Sequence, residues 1–149
     1  MTVNVRKARF DDEEEILALI PELFAPPGSK PTRYDKESAR EAVQRVISGD
    51  KSDILLAEVS GKVVGMLVLY VDIMMIRFGL RCWLEDFVVL PEHRSQGAGK
   101  ALLDAASRWA RAYGCTHLQL NSGNGRSDAH RFYKSNGMKQ ESLSFQLPL

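Results

Sequence analysis

The stretch that decides the fold is Val89-Leu90-Pro91-Glu92-His93-Arg94-Ser95-Gln96-Gly97-Ala98-Gly99-Lys100. An apolar strand ends before Pro91, a short loop carries two glycines, and a helix follows at once. Glycines let the backbone approach a ligand closely, while the free N–H groups and the dipole of a first helical turn favour negative charge. The side chains of Arg94 and Lys100 add positive charge. This pattern predicts a binding site for a pyrophosphate.

Two other phosphate-binding patterns do not fit this loop. A P-loop would need glycine in place of Arg94 and serine or threonine in place of Ala101. A dinucleotide-binding fingerprint that begins at Gly97 would need a small residue in place of Leu102. It would also need an acidic residue about 20 positions further on, where this chain has Thr116-His117. The loop therefore belongs to another class of pyrophosphate site.

Hydrophobic periodicity on both sides of the loop predicts a mixture of strands and helices. The predicted strands cover residues 3–8, 54–59, 63–71, 82–90, 116–120 and 143–147, and the predicted helices cover 11–20, 35–47, 97–113 and 127–135. The turn Ser60-Gly61-Lys62 predicts a hairpin between the second and third strands. A chain of this length is enough for one core, so we expect a single mixed α/β domain over residues 1–149.

Composition argues against several kinds of protein. The longest apolar run, residues 66–76, contains Asp72 and is far shorter than the roughly 20 residues of a membrane helix. Residues 1–7 lack the apolar segment of a signal peptide, and the lone Cys82 and Cys115 lack the spacing of a metal site. The formal charge of +1 gives no electrostatic reason to expect nucleic acid or an anionic membrane as a partner. We therefore expect a cytoplasmic protein without metal, nucleic acid or membrane partners.

A second motif lies downstream, in the stretch Asp128-Ala129-His130-Arg131-Phe132-Tyr133-Lys134-Ser135-Asn136-Gly137-Met138. Together with Arg94-x-x-Gly97-x-Gly99 after a strand, it resembles the GNAT superfamily of N-acetyltransferases from about Ile54 to the last residue. Within that superfamily, Leu84-Glu85-Asp86-Phe87-x-Val89 is similar to polyamine acetyltransferases. The stretch from Arg126 to Tyr133 is similar to aminoalkylphosphonate acetyltransferases. The resemblance implies the GNAT fold, an α+β arrangement of six to seven mostly antiparallel strands with about four helices.

The resemblance also implies that acetyl-CoA binds along the end of a strand, the glycine loop and the downstream motif. The residues expected to contact it are Phe87, Val88, Val89, Arg94, Ser95, Gln96, Gly97, Ala98, Gly99, Lys100, Asn124, Arg126, Ala129 and Phe132. The backbone N–H of Val88 is expected to polarise the thioester carbonyl. Many family members have asparagine where this chain has Arg126, so either Arg126 or the nearby Asn124 is expected to contact the pantetheine arm.

The reaction needs a base and an acid. An alkylamine with a pKa of about 10 is almost wholly protonated at neutral pH and must lose a proton before it can attack. The resemblance implies that Glu85 accepts that proton and that Tyr133 protonates the leaving thiolate. Strict strand alternation would place Glu85 on the same face as Phe87 and Val89, with Asp86 on the opposite face as a structural or dimer-contact residue.

The acceptor is expected to be a primary amine of a small molecule, because both similar groups of enzymes modify such amines. A protein N-terminus or lysine is the alternative acceptor, and a CoA-binding regulator without catalysis is the alternative to an enzyme. Relatives commonly pair, so a homodimer is expected. The loop over residues 26–34 is expected to help shape the acceptor site.

Overall fold

The computed structural model describes residues 2–149, which form one sheet of five strands with helices on both faces. The strands are β1 Val3–Lys7, β2 Ser52–Val59, β3 Lys62–Val71, β4 Arg81–Val89 and β5 His117–Gln119. The helices are α1 Glu13–Phe24, α2 Lys36–Ser48, α3 Ala98–Ala112 and α4 Ser127–Ser135, with short 3-10 turns at Phe10–Asp12 and Pro91–His93. The mixed α/β fold is therefore confirmed. Over residues 2–149, no helix is both long enough and apolar enough to cross a bilayer.

The strands follow one another across the sheet in chain order. Neighbours from β1 to β4 are antiparallel, and Ser60 and Gly61 form the two-residue turn between β2 and β3, with φ of 51° and 76°. The last strand, β5, is parallel to β4 and pairs only with Arg81–Trp83. Beyond Trp83, the far edge of β4 has no partner strand within residues 2–149. The two strands therefore separate in the middle of the molecule.

Each face of the sheet packs against a different set of helices. On one face, α3 buries Leu102, Ala106 and Trp109 against the sheet residues Leu67 and Leu69. On the other face, α1 and α2 bury the core residues Ile16, Leu19 and Val43 against Ile54, Leu56 and Met66. The open edge of β4 lies between the two layers of helices.

A β-bulge in β4 corrects the expected alternation of side chains. Phe87 pairs with Leu67 and Glu85 pairs with Val68, so Asp86 is an extra residue with no counterpart on β3. Because of this extra residue, Phe87 packs in the α3 layer, whereas Glu85 lies opposite Val68, which packs in the α1 and α2 layer. The prediction that Glu85 shares a face with Phe87 and Val89 is therefore wrong.

The predicted last strand is also wrong for the single chain. Residues 139–149 carry no regular secondary structure, so the sheet has five strands instead of six to seven. The alternation that suggested a strand is real, but it leaves Leu143, Phe145, Leu147 and Leu149 between 74% and 103% exposed. We call residues 139–149 the C-terminal tail. An alternating pattern stabilises a strand only where a sheet edge is available to pair with it.

Candidate active site

A cleft of about 1090 Å³ opens where β4 separates from β5. Its walls come from four parts of the chain, namely the end of α1 and the loop after it, the end of β4, the glycine loop with the start of α3, and α4 with the two residues before it. The lining residues are Glu22, Leu23, Ala25, Pro26, Pro27, Phe87, Val88, Val89, Arg94, Ser95, Gly97, Gly99, Lys100, Gly125, Arg126, Ser127, Asp128, Ala129, Arg131, Phe132 and Tyr133. The sequence motifs at 94–100 and 126–133 therefore meet in one place.

The glycine loop has a backbone shape suited to an anion. Ser95 and Gly97 both adopt left-handed conformations, with φ of 60° and 94°. Gly97 is the N-cap of α3, and in the described structure no side chain caps the N–H groups of the first turn. A Cβ on Gly99 would lie 3.2 Å from the ring of Phe132, so only glycine fits this packing without a shift. The loop therefore presents backbone donors at a helix N-terminus, where the dipole favours negative charge.

The positive side chains of the loop are anchored by neighbouring groups. Arg94 donates from Nε to the carbonyl of Val89 at 2.9 Å and lies 3.6 Å from the carboxylate of Glu22. Lys100 pairs with Asp104 at 2.8 Å on the exposed face of α3. Both cations also line the cleft on the side of the glycine loop, each beside the carboxylate that anchors it.

The open edge of β4 presents the backbone of Phe87 and Val89 to the cleft. The N–H of Leu90 donates to a β3 carbonyl at 2.8 Å, and alternate residues of a strand direct their backbone groups to the same side. The N–H of Val88 therefore points at β3, not at the cleft, which corrects its expected role. The Nε of Arg94, in the loop after β4, bonds to the outward carbonyl of Val89.

Tyr133 lies beside this edge. Its ring centroid is 6.3 Å from that of Phe87 and 5.7 Å from that of Phe132. The pKa of the phenol is raised because burial disfavours the phenolate, and the guanidinium of Arg126 opposes this rise. Its hydroxyl has no hydrogen-bond partner among residues 2–149 and is available to a ligand. A protonated phenol with a free hydroxyl can donate a proton into the cleft.

Glu85 lies on the other side of the same strand. Its carboxylate accepts a hydrogen bond from the indole N–H of Trp83. The pKa of Glu85 is raised, chiefly because the surrounding protein limits its hydration; the Trp83 bond lowers it, and the nearby Asp86 raises it. The side chain remains open to solvent. A carboxylate with a raised pKa that a solute can reach is suited to accept a proton.

Most of the predicted site residues meet in the cleft, and four do not line it. Glu85 faces the α1 and α2 side, and Ala98 is buried beneath the loop. Gln96 points back to donate to the carbonyl of Glu92 at 3.2 Å. Asn124 is exposed outside the cleft, whereas Arg126 lines it, so the structure favours Arg126 of the two candidates for a cleft contact.

The sequence reasoning missed the wall formed by the end of α1. Glu22 and Leu23 line the cleft, as do Pro26 and Pro27 from the loop that was expected to shape the acceptor site. Pro26 and Pro27 were a visible signal, because prolines in an exposed loop mark a fixed turn. No local pattern in the sequence around Glu22 and Leu23 indicates that the end of α1 faces β4.

Comparison with known proteins agrees with this geometry. The family model described as the acetyltransferase (GNAT) family matches residues 15–138. The chain belongs to the GNAT family. The enzyme is thus an acetyl-CoA-dependent N-acetyltransferase. Over residues 2–149, no three His, Cys, Asp or Glu side chains cluster in a way that could hold a metal ion.

Two curated relatives and one solved structure are similar to this acetyltransferase. An aminoalkylphosphonate N-acetyltransferase from Salmonella typhimurium is 30% identical over 142 residues, which are 95% of this chain and 88% of the relative. An uncharacterized N-acetyltransferase, YhdJ, from Bacillus subtilis is 46% identical over 72 residues, 48% of this chain and about half, 51%, of the relative. A structure described as a transcriptional regulator from Bacillus halodurans C-125 has a TM-score of 0.85 at 25% identity, covering 99% and 100% of the two chains.

Proposed function

We propose that this enzyme transfers the acetyl group of acetyl-CoA directly to a primary amine of a small molecule, such as a polyamine or an aminoalkylphosphonate. Glu85 is the base and Tyr133 is the acid. The observation that carries the proposal is the cleft itself, in which the glycine loop, the open edge of β4 and Tyr133 lie together. The Salmonella typhimurium relative supports the class of acceptor, since it is described as acting on aminoalkylphosphonates.

The residues of the cleft fit acetyl-CoA. Its pyrophosphate carries negative charge, and the loop offers backbone donors at the start of α3 with Arg94 and Lys100 beside them. The long arm of acetyl-CoA contains amide groups that need hydrogen-bond partners. The outward backbone groups of Phe87 and Val89 supply them, so the arm pairs with β4 as an added strand would. Arg126, Ala129 and Phe132 line the opposite wall.

The carbonyl of the thioester gains negative charge during attack, so it needs a hydrogen-bond donor. We assign that donor to the N–H of Phe87, because it points to the open edge whereas the N–H of Val88 points at β3. The side chain of Phe87 is held between the α3 layer and Tyr133, which fixes the backbone at this position.

Glu85 and Tyr133 approach the edge of β4 from two sides. The bulge at Asp86 turns Glu85 to the face opposite Phe87, and Tyr133 packs beside Phe87. An amine that enters on the Glu85 side would therefore reach a thioester held along the cleft. In the step we propose, Glu85 first takes one proton from the ammonium, directly or through water, and the lone pair this leaves on the nitrogen then forms the C–N bond. The nitrogen loses its second proton to solvent as the amide forms. The C–S bond breaks as Tyr133 gives its proton to the sulfur.

We further propose that residues 1–149 act as one catalytic domain and that two copies form a homodimer. The C-terminal tail supports the second part, because four apolar side chains on one alternating stripe are exposed in the single chain. A second copy offers the sheet edge that the tail lacks.

An acceptor panel tests the proposed function. Release of CoA from acetyl-CoA is measured with polyamines, aminoalkylphosphonates, aminoglycosides, amino acids and short peptides. We expect turnover with one class of small primary amine and none with the peptides. Turnover with peptides alone would favour the protein acceptor. Tight binding of acetyl-CoA without any turnover would contradict the catalytic proposal and favour a regulator.

A further inference from the structure

The side chain of Arg126 bridges two distant parts of the chain. Its Nη2 donates to the carbonyl of Leu23 at 3.0 Å, across 103 residues of sequence. Arg126 is the N-cap residue of α4, and Leu23 lies in the last turn of α1. Both residues line the cleft. A single guanidinium therefore ties the end of α1 to the start of α4.

The loop after α1 is shaped around this guanidinium. A Cβ on Gly28 would lie 2.4 Å from Nη2 of Arg126 and 2.7 Å from the carbonyl of Leu23, so there is room only for hydrogen at this position. On the α4 side, a Cβ on Gly125 would lie 3.6 Å from the Cβ of Pro27. The loop and the start of α4 thus touch on both sides of the bridge, and a displaced Arg126 would separate the two walls.

Arg126 and Tyr133 line the same cleft. Arg126 precedes the first turn of α4, Tyr133 lies within that helix, and both are lining residues. The positive charge of Arg126 lowers the pKa of Tyr133, against the larger effect of burial. The other charged groups facing the cleft are Glu22 on α1, Arg94 and Lys100 at the glycine loop and α3, and Asp128 and Arg131 on α4.

We propose that Arg126 is a positioning residue for the acid Tyr133, in addition to any contact it makes with the cofactor. It fixes the start of α4 against α1 and keeps a positive charge near the hydroxyl that gives up its proton. The negative charge left on Tyr133 after the transfer is then partly compensated in a place where burial disfavours it. The inference rests on the proposed function, because it requires Tyr133 to act as the acid.

A double-mutant cycle tests the inference. The turnover number kcat and the KM of an accepted amine are measured for wild type, Arg126→Met, Tyr133→Phe and the double variant, with thermal unfolding to check that each is folded. We expect Arg126→Met to lower kcat by about tenfold, because loss of the positive charge raises the pKa of Tyr133 and makes it a weaker proton donor, with little change in the KM of the amine. Arg126→Met combined with Tyr133→Phe should lower kcat no further than Tyr133→Phe alone, because the hydroxyl that Arg126 assists is already gone. Arg126→Lys should keep most of the activity.

The cycle separates the two proposals. If Arg126→Met lowers kcat by the same factor with and without the Tyr133 hydroxyl, Arg126 does not act through Tyr133, and the inference fails while the proposed function stands. If Tyr133→Phe alone keeps the wild-type kcat, the acid role fails and the inference with it.

A pair of glycine variants tests the bridge without removing the charge. The added Cβ of Gly28→Ala would push directly on Nη2 of Arg126, so we expect kcat to fall, as it does in Arg126→Met. Gly123→Ala is the matched control, because its Cβ would touch the same side chain at ordinary distances of 3.8 to 3.9 Å. It should leave kcat unchanged. A wild-type kcat in Gly28→Ala would contradict the bridge.

Discussion

Three effects set the pKa of the Glu85 carboxyl, and one of them is a single hydrogen bond. Limited hydration and the neighbouring Asp86 both raise its pKa, whereas the indole N–H of Trp83 lowers it by stabilising the carboxylate. A general base must be deprotonated to work, so activity should rise as the pH passes upward through the pKa of Glu85. The pH at which activity rises on the acid side of the profile therefore depends on the hydrogen bond from Trp83 to Glu85.

Replacing Trp83 by phenylalanine removes the N–H donor and keeps an aromatic ring. The pKa of Glu85 should rise, and the acidic limb of the kcat profile should move to higher pH. Tyr70→Phe is a suitable control, because Tyr70 is paired with Trp83 across the strands and its change leaves the bond to Glu85 in place. Overlapping pH profiles of Trp83→Phe and wild type would show that the indole does not tune Glu85.

The residues of the glycine loop could be predicted from sequence because their chemistry is local, a strand followed by small residues and a helix start. The face of Glu85 could not be predicted by alternation, since a bulge depends on pairing with β3. A signal was nevertheless present. The apolar residues Cys82 and Leu84 fall on even positions and Phe87 and Val89 on odd ones, and such a change of parity indicates an extra residue between them.

At the scale of elements, an ion pair joins β1 to the start of α1. Arg6 donates from both terminal nitrogens to the carboxylate of Asp12 at 2.8 Å, and Asp12 also accepts from the backbone N–H of Arg9 at 2.7 Å. Asp12 is 4% exposed. The hydrogen bonds from Arg6 lower the pKa of Asp12 to about 2, against the effect of burial.

This pair should make stability depend on pH in the acid range. The folded-state pKa of Asp12 lies below the ordinary value of 3.8, so its contribution is present above that value and is lost as the pH falls towards about 2. Asp12→Asn should lower the free energy of unfolding by about 2 kcal/mol near neutral pH, measured by urea unfolding. The difference from wild type should shrink with acidification below pH ~4.

The exposed pair between Arg45 and Glu41 on α2 provides a control. Glu41→Gln should change the free energy of unfolding by less than about 0.5 kcal/mol, because exposed ion pairs contribute little. An Asp12→Asn variant as stable as this control would contradict the role assigned to the Arg6 and Asp12 pair.

Elements whose signals are local were predicted well. The helix predicted to begin at residue 35 is capped there by Asp35, which accepts from the N–H of Ser38 at 2.9 Å, and α3 ends within one residue of its predicted end. The strand predicted over residues 143–147 did not form, because a strand needs a neighbour and alternation alone does not supply one. Its residues are those that we assign to contact with a second copy.

At the scale of the whole molecule, the C-terminal tail is one of two segments that each expose four large apolar side chains in the single chain; the other is the loop between β3 and β4, with Ile73, Met74, Ile76 and Phe78. The tail is held at two points, where Arg33 donates to the carbonyl of Leu149 at 2.9 Å and Asn121 contacts the hydroxyl of Ser144 at 3.3 Å. The proposed homodimer would bury its apolar stripe.

Changing Leu143 and Phe145 together to serine should dissociate this dimer, because the stripe loses two of its four apolar side chains. The molar mass in solution, measured by light scattering after size exclusion, should fall from that of two chains to that of one. Phe10→Ser is a control, since Phe10 is also exposed, at 60%, but lies near β1. A wild-type chain that runs as a monomer at all concentrations would contradict the proposal.

The most direct test of the central claim is to identify by mass spectrometry the product formed from acetyl-CoA and the best amine of the panel. The wild type is compared with Glu85→Gln and Tyr133→Phe. We predict an acetyl group on the amine nitrogen and a rate of product formation lower by about 100-fold or more in each variant. Wild-type rates in both variants, or acetyl groups found only on the protein, would contradict direct transfer by Glu85 and Tyr133.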